Sequence, residues 1–202
     1  RNVKIPKQEQ GISLLIDIEN NIKAQQSAGY EHWAKIHNLK QAAKTMNFLT
    51  ENNILQYEDL IKKIDEIILD SEQTADSLKQ VEKKLSDMAV LIKNISTYQK
   101  TKDIHRGYIK ANDKEAYRRK YESNLILYEA AAKALKDAGI KKLPELAALQ
   151  KEYTALQKKK EAIYSDYGKL KKKVKEYQKI KQNVDTILQK EKSGKEHTKA
   201  LE

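Results

Sequence analysis

Residues 57–95 read YEDLIKKIDEIILDSEQTADSLKQVEKKLSDMAVLIKNI, and apolar positions recur in them every seven residues. Six heptads keep this register without a Pro or a Gly. The positions expected to face a partner helix are Tyr57, Leu60, Ile64, Ile67, Ser71, Thr74, Leu78, Val81, Leu85, Met88, Ile92 and Ile95. A sustained heptad repeat is typical of a coiled coil. We therefore predict one long helix over residues 56–106, the first arm.

A second heptad run begins at Pro144, a residue that the first turn of a helix tolerates. Its seam positions are Leu146, Leu149, Tyr153, Leu156, Lys160, Ile163, Tyr167, Leu170, Val174, Tyr177, Lys181, Val184 and Leu188. This run predicts a second arm over residues 144–190. Two seams of matching length favour an antiparallel coiled coil within one chain, and a coiled coil between two chains is the alternative.

The regions outside the arms are predicted to be helical as well. Residues 1–55 carry apolar residues at helical steps in two stretches, which predict a hairpin of one helix from Lys7 to Ser27 and another from Tyr30 to Glu51. These apolar residues are Ile12, Leu15, Ile16, Ile18 and Ile22, then Trp33, Ile36, Leu39, Ala43, Met46 and Leu49. Asn52 and Asn53 are expected to end the hairpin, because Asn tolerates the left-handed conformation.

Residues 107–143 are predicted to form a helical cap at the tip of the arms. Asn112 or Asp113 is expected to start the cap helix and Gly139 to close it. Residues 191–202 form a polar tail, and its final Leu201-Glu202 resembles a cloning scar. The predicted fold is all-α: a long antiparallel coiled-coil hairpin with a helical cap and an N-terminal helix pair. We expect the chain to be part of a longer protein.

Composition excludes several classes of protein. The 202 residues include no Cys, which excludes a disulfide framework, a thiolate metal site and a thiol nucleophile. No run of 18 apolar residues occurs, so no transmembrane helix is predicted. A chain without Cys is typical of the cytoplasm, which is the expected location.

The four His residues are scattered at positions 32, 37, 105 and 197, and the six Gly never cluster into a phosphate loop. The seam tyrosines are expected to fill the coiled coil rather than to act as nucleophiles. The sequence therefore predicts no catalytic residue, no metal site and no cofactor in this chain.

The net charge of +11 lies entirely in the second half of the sequence. Residues 1–101 contain 14 basic and 14 acidic residues, whereas residues 102–202 contain 26 and 15. Such asymmetry indicates an anionic partner, most often nucleic acid. The candidate DNA-binding residues are Arg118, Arg119, Lys120, Lys158, Lys159, Lys169, Lys171, Lys172, Lys173 and Lys175. The alternative is a solvated lysine-rich surface, with pairs such as Lys172–Glu176.

Several short stretches of the chain follow a pattern known from one family. They are residues 12–18 (ISLLIDI), 28–35 (AGYEHWAK), 38–41 (NLKQ), 47–51 (NFLTE), 127–133 (LYEAAAK), 141–144 (KKLP) and 183–185 (NVD). This pattern resembles the region that follows the nuclease domain in Mob-type relaxases of conjugative and mobilisable elements of Gram-positive bacteria.

Relaxases of this family nick one DNA strand at a transfer origin and remain attached to it through a Tyr. Their N-terminal domain holds a divalent metal with a His cluster, which has no counterpart here. The resemblance implies a non-catalytic C-terminal helical domain. The basic second arm makes DNA the expected partner. The alternatives are a docking arm for accessory or secretion-channel proteins, or a coiled-coil dimerisation spacer. The expected state is a monomer or a coiled-coil dimer.

Overall fold

The computed structural model describes the backbone of residues 11–199 and the side chains of residues 11–191. Helices form almost all of this part, which contains no strand, so the all-α prediction is confirmed. The helices are α1 (Ile22–Gln26), α2 (Ala28–Glu51), α3 (Tyr57–Lys110), α4 (Lys114–Asp137) and α5 (Leu146–Lys199). Helix α5 ends nine residues beyond its predicted end at residue 190, and the scar predicted at Leu201-Glu202 lies outside the described residues.

The chain divides into two compact units. One contains residues 11–73 and 167–199, and the other contains Thr74–Asp166. Helices α3 and α5 each contribute to both units, whereas α1 and α2 belong to the first and α4 belongs to the second.

In the first unit, α3 and α5 run antiparallel. The Tyr57 hydroxyl, at the start of α3, donates a 2.7 Å hydrogen bond to Asp185. Further along α3, Lys63 lies near Tyr177, so the partner residue number falls as the α3 number rises. The core between the two helices is formed by Ile54, Leu60, Ile64, Ile67, Tyr177 and Ile180. The predicted intramolecular pairing is therefore confirmed in this unit.

The heptad register predicted for α3 matches the observed burial. None of its twelve predicted seam positions is exposed. In α5, Leu188 is the one predicted seam position that is exposed. In the second unit, the seam Lys160 forms a 2.9 Å ion pair with Glu82 across the two helices. This pair explains how a charged residue is accommodated at a seam position.

The start of α4 and the ends of α2 and α4 lie where the sequence predicts them. The carboxylate of Asp113 accepts a 2.9 Å hydrogen bond from the Ala116 N–H and caps α4. Gly139 has a φ of +70° just after α4, and Asn53 has a φ of 55° after α2. Both residues adopt the left-handed conformation expected after a helix.

The predicted helix from Lys7 to Ser27 is wrong over the described residues. Only Ile22–Gln26 is helical, and residues before Gly11 are not described. Residues 11–17 form no helix, because side chains of α2 and α5 bond to their backbone groups. Local periodicity cannot reveal partners that lie 22 to 170 residues away in sequence.

Helix α2 presents several of its apolar residues to solvent, although Phe48 and Leu49 near its end pack against the core of the first unit. The residues it buries are Ala34, Gln41 and Thr45. Ile36, Leu39 and Met46 are 42%, 73% and 56% exposed. Of the apolar positions predicted for this helix, Leu49 therefore packs against the core, whereas Ile36, Leu39 and Met46 remain exposed in the described part of the chain.

Candidate nucleic-acid interface

Residues 167–179 of α5 carry six Lys and a single acidic residue, Glu176. Lys171, Lys175 and Lys179 recur at steps of four residues, so they follow one side of the helix about 6 Å apart. Lys172 lies beside them. All four side chains are exposed. We call these four residues the lysine face.

The lysine face lies opposite the buried side of α5. Leu170, Val174 and Tyr177 pack against the core of the first unit and fix the rotation of the helix about its axis. With that rotation fixed, residues at helical steps from Lys171 to Lys179 point to solvent. The packing of the seam therefore determines which lysines are available.

No acidic side chain neutralises this face within the described residues. Lys172, Lys175 and Lys179 form no ion pair there, and Glu176 does not reach Lys172. The ammonium group of Lys171 lies 5.3 Å from the ring centroid of Tyr167, an aromatic contact that leaves its charge in place. Like charges four residues apart destabilise a helix by about 0.2–0.5 kcal/mol per pair. An anionic partner would offset this repulsion.

Two predicted lysines of this segment have other surroundings. The ammonium group of Lys173 lies 5.9 Å from the ring centroid of Tyr177, on the side of the helix nearer the core. Lys169 has an interaction partner of its own. Lys179 was not among the predicted residues. Its position four residues after Lys175 could have placed it on the same side of the helix.

The second unit contains the other five predicted residues. Arg118, Arg119 and Lys120 are exposed on α4, where consecutive positions point in different directions. Lys120 lies 5.3 Å from the ring centroid of Tyr121, whose φ of −122° and ψ of 24° kink the helix. Lys158 and Lys159 are exposed on α5. The predicted set is thus divided equally between the two units.

Two of the four His residues take part in ring packing. His105 stacks on Tyr128 with ring centroids 3.9 Å apart, and His37 stacks on Trp33 at 5.3 Å. The part of the chain that the structure describes contains no group of three or more His, Asp or Glu that could hold a metal ion. The side chain of His197 lies outside the described residues.

None of the helices in the described residues has a stretch long and apolar enough to span a membrane. Comparisons with protein-family models, with curated proteins and with solved structures found no match for this chain.

Proposed function

We propose that this chain is a non-catalytic helical domain of a mobilisation relaxase and that it contacts DNA through the lysine face of α5. The observation that carries the DNA contact is the uncompensated charge of Lys172, Lys175 and Lys179. Each of these side chains is exposed and, among the described residues, has no acidic partner. Repulsion among these charges destabilises the helix on its own, and a polyanion bound to them would offset that repulsion.

The proposed contacts are made to the phosphate backbone. Lysine supplies a point charge on a flexible stem and does not need a particular base to pair with. DNA carries one negative charge per about 1.7 Å of its axis, so lysines spaced about 6 Å apart always have a phosphate in reach. The expected binding is weak, salt-dependent and indifferent to sequence.

The relaxase assignment is supported by the sequence stretches that resemble Mob-type relaxases, above all residues 12–18 and 28–35. In that proposal, nicking and covalent attachment belong to a nuclease domain elsewhere in the parent protein. This chain then contributes DNA affinity and requires no metal or cofactor of its own. Accessory transfer proteins are further proposed partners.

A second candidate function is a docking arm for accessory or secretion-channel proteins. The exposed residues of α2 favour it, because Ile36, Leu39 and Met46 form an apolar stripe at helical spacing. Contiguous exposed apolar residues mark interaction surfaces. A spacer that dimerises through its coiled-coil seam is less favoured, since the seam of the first unit is already filled within one chain.

Fluorescence anisotropy with a labelled duplex distinguishes the two candidates. Contact with about five phosphates predicts a slope of about −4 to −5 when the logarithm of the binding constant is plotted against that of the salt concentration. Absence of binding at tens of micromolar protein in low salt would remove the DNA proposal and leave the docking arm.

A further inference from the structure

Residues 11–17, which we call the strap, are held through their backbone by side-chain amides. Asn183 of α5 accepts a 2.9 Å hydrogen bond from the Leu15 N–H and donates a 3.0 Å bond to the Ser13 carbonyl. Asn38 of α2 makes the same double contact with Ile16, accepting from its N–H and donating to its carbonyl, both at 2.7 Å. Each side-chain amide thus makes the two backbone hydrogen bonds that a neighbouring strand would make in a β-sheet.

Further contacts along the strap also involve main-chain groups. Gln41 accepts a 2.8 Å hydrogen bond from the Ser13 N–H. The Lys44 ammonium donates to the Gly11 carbonyl at 3.3 Å. Because these partners contact backbone atoms, they do not select a particular side chain on the strap.

The groove that receives the strap is defined by Asn38, Gln41 and Thr45 of α2 and by Asn183 of α5, and we call it the amide groove. Asn183, Thr45 and Gln41 are only 1%, 0% and 7% exposed. Asn183 also donates a 3.0 Å hydrogen bond to the Thr45 hydroxyl, which itself donates to the Gln41 carbonyl at 2.8 Å. Buried amides are costly unless they are hydrogen-bonded. An empty groove would therefore take up another extended backbone.

The orientation of α2 supports the binding of an extended backbone in the amide groove. The helix turns Gln41 and Thr45 inward and leaves Leu39 73% exposed. Burying a polar face while exposing an apolar one reverses the usual preference. The strap offsets this cost, because its backbone groups bond to the buried side chains of Gln41 and Asn183.

The connection after the strap is a small turn. The carboxylate of Asp17 accepts hydrogen bonds from the Asn20 N–H at 3.4 Å and from the Asn20 amide at 2.7 Å. Asn21 then caps the five-residue helix α1. Opening this exposed turn would free the strap. The six buried residues of the core between α3 and α5 lie outside the strap, and Ile12 of the strap packs against them.

From this geometry we infer that the amide groove also binds the strap of a second copy, so that two chains exchange residues 11–17. A second copy carries an identical strap, and every bond made within one chain can be made between two. Exchange of an identical element is a low-cost route to a dimer. The intramolecular strap competes at an effective concentration in the millimolar range, so exchange is favoured when the protein is concentrated.

Disulfide trapping in the full chain tests the exchange, because the natural sequence has no Cys. One copy carries Leu14→Cys and a second, size-tagged copy carries His37→Cys, since the Leu14 carbonyl lies 3.2 Å from the His37 ring. Exchange places position 14 of one copy beside position 37 of the other. The expected result is that the mixed disulfide exceeds either homodisulfide several-fold at high protein concentration.

Synthetic peptides of residues 11–18 provide the control without altering the folded chain. Excess wild-type peptide should suppress the mixed disulfide. A Leu15→Pro peptide lacks the N–H that Asn183 accepts and should not suppress it. A Leu14→Pro peptide is the matched control, because the Leu14 N–H has no hydrogen-bond partner in the described residues, and it should suppress. A mixed disulfide no more abundant than the homodisulfides, or equal suppression by the two proline peptides, would overturn the inference.

Discussion

The side-chain amide of Asn183 accepts a 2.9 Å hydrogen bond from the backbone N–H of Leu15, 168 residues earlier in the chain. This bond, with its partner to the Ser13 carbonyl, ties the N-terminal segment to the second half of α5. It also explains why an apolar segment with helical periodicity remains extended. Its backbone groups are satisfied by distant amides, and a helix over residues 11–17 would leave those buried amides without partners.

Replacing Asn183 tests the importance of this tie. Asn183→Ala removes partners from Leu15, Ser13 and Thr45 at once, in a site that is 1% exposed. The expected loss in the free energy of unfolding is about 2–3 kcal/mol, the cost of buried groups left unsatisfied. Urea denaturation measures it. The neighbouring exposed residue supplies the control, since Gln182→Ala should change stability by less than about 0.5 kcal/mol. Similar losses for both variants would contradict the tie.

Amide hydrogen exchange examines the strap residue by residue. The N–H groups of Ser13, Leu15 and Ile16 are bonded to side-chain oxygens. We expect these three amides to exchange more slowly than that of Leu14, because exchange requires the hydrogen bond to open. NMR-detected exchange at neutral pH reads each position. A uniform fast rate across residues 13–16 would show that the strap is not held.

Asp185 gives α3 and α5 a pH-dependent contact. Burial raises the pKa of Asp185, but hydrogen bonds from Lys181 at 2.7 Å and from Tyr57 at 2.7 Å outweigh it and hold the pKa below its ordinary value of 3.8. A carboxyl whose pKa is lowered by folding stabilises the protein above its unfolded pKa, and this contribution disappears as the pH falls through the folded pKa. Asp185→Asn should therefore reduce the fall in stability between about pH 4 and pH 2, relative to the wild type. An unchanged pH profile would contradict this role.

Gly107 is confined by a tyrosine of the cap helix. A β-carbon at this position would overlap the hydroxyl of Tyr117 and lie 3.0 Å from its Cζ. Replacing a helical Gly by Ala normally stabilises by about 1 kcal/mol. We expect Gly107→Ala to gain less than this in the wild type and the full amount in a Tyr117→Ala background. Thermal unfolding of the double-mutant cycle measures the difference, and equal gains in both backgrounds would rule out the contact.

The heptad sequence allowed the long helices and their seam to be predicted because a repeat over six heptads depends only on local spacing. The ends at Asn53, Asp113 and Gly139 were predictable for the same reason. The strap was not, because Asn38, Gln41 and Asn183 act on it from distant positions. The burial of the polar residues Gln41 and Thr45 on α2 depends on the strap, so it could not be predicted from the sequence either.

The candidate interface was partly predictable. Clusters of Lys are visible in the sequence, but the side of the helix on which each lysine lies depends on how α5 packs. Lys171, Lys172 and Lys175 follow the face opposite the core, whereas Lys173, although exposed, lies beside the buried Tyr177 on the flank of the seam. Lys179 completes the exposed face and was missed because it stands apart from the consecutive lysines.

Salt-dependent DNA binding of two triple variants tests the central claim most directly. Lys172→Gln, Lys175→Gln and Lys179→Gln remove the unpaired charges of the lysine face. Lys83→Gln, Lys84→Gln and Lys100→Gln remove the same charge from exposed positions on α3. Gln is a comparable helix former, so helicity should be retained in both. The first triple should flatten the log–log salt slope by about two to three units, and the second should leave it nearly unchanged. Equal flattening in both triples would show that net charge alone governs binding and would contradict a DNA interface on the lysine face.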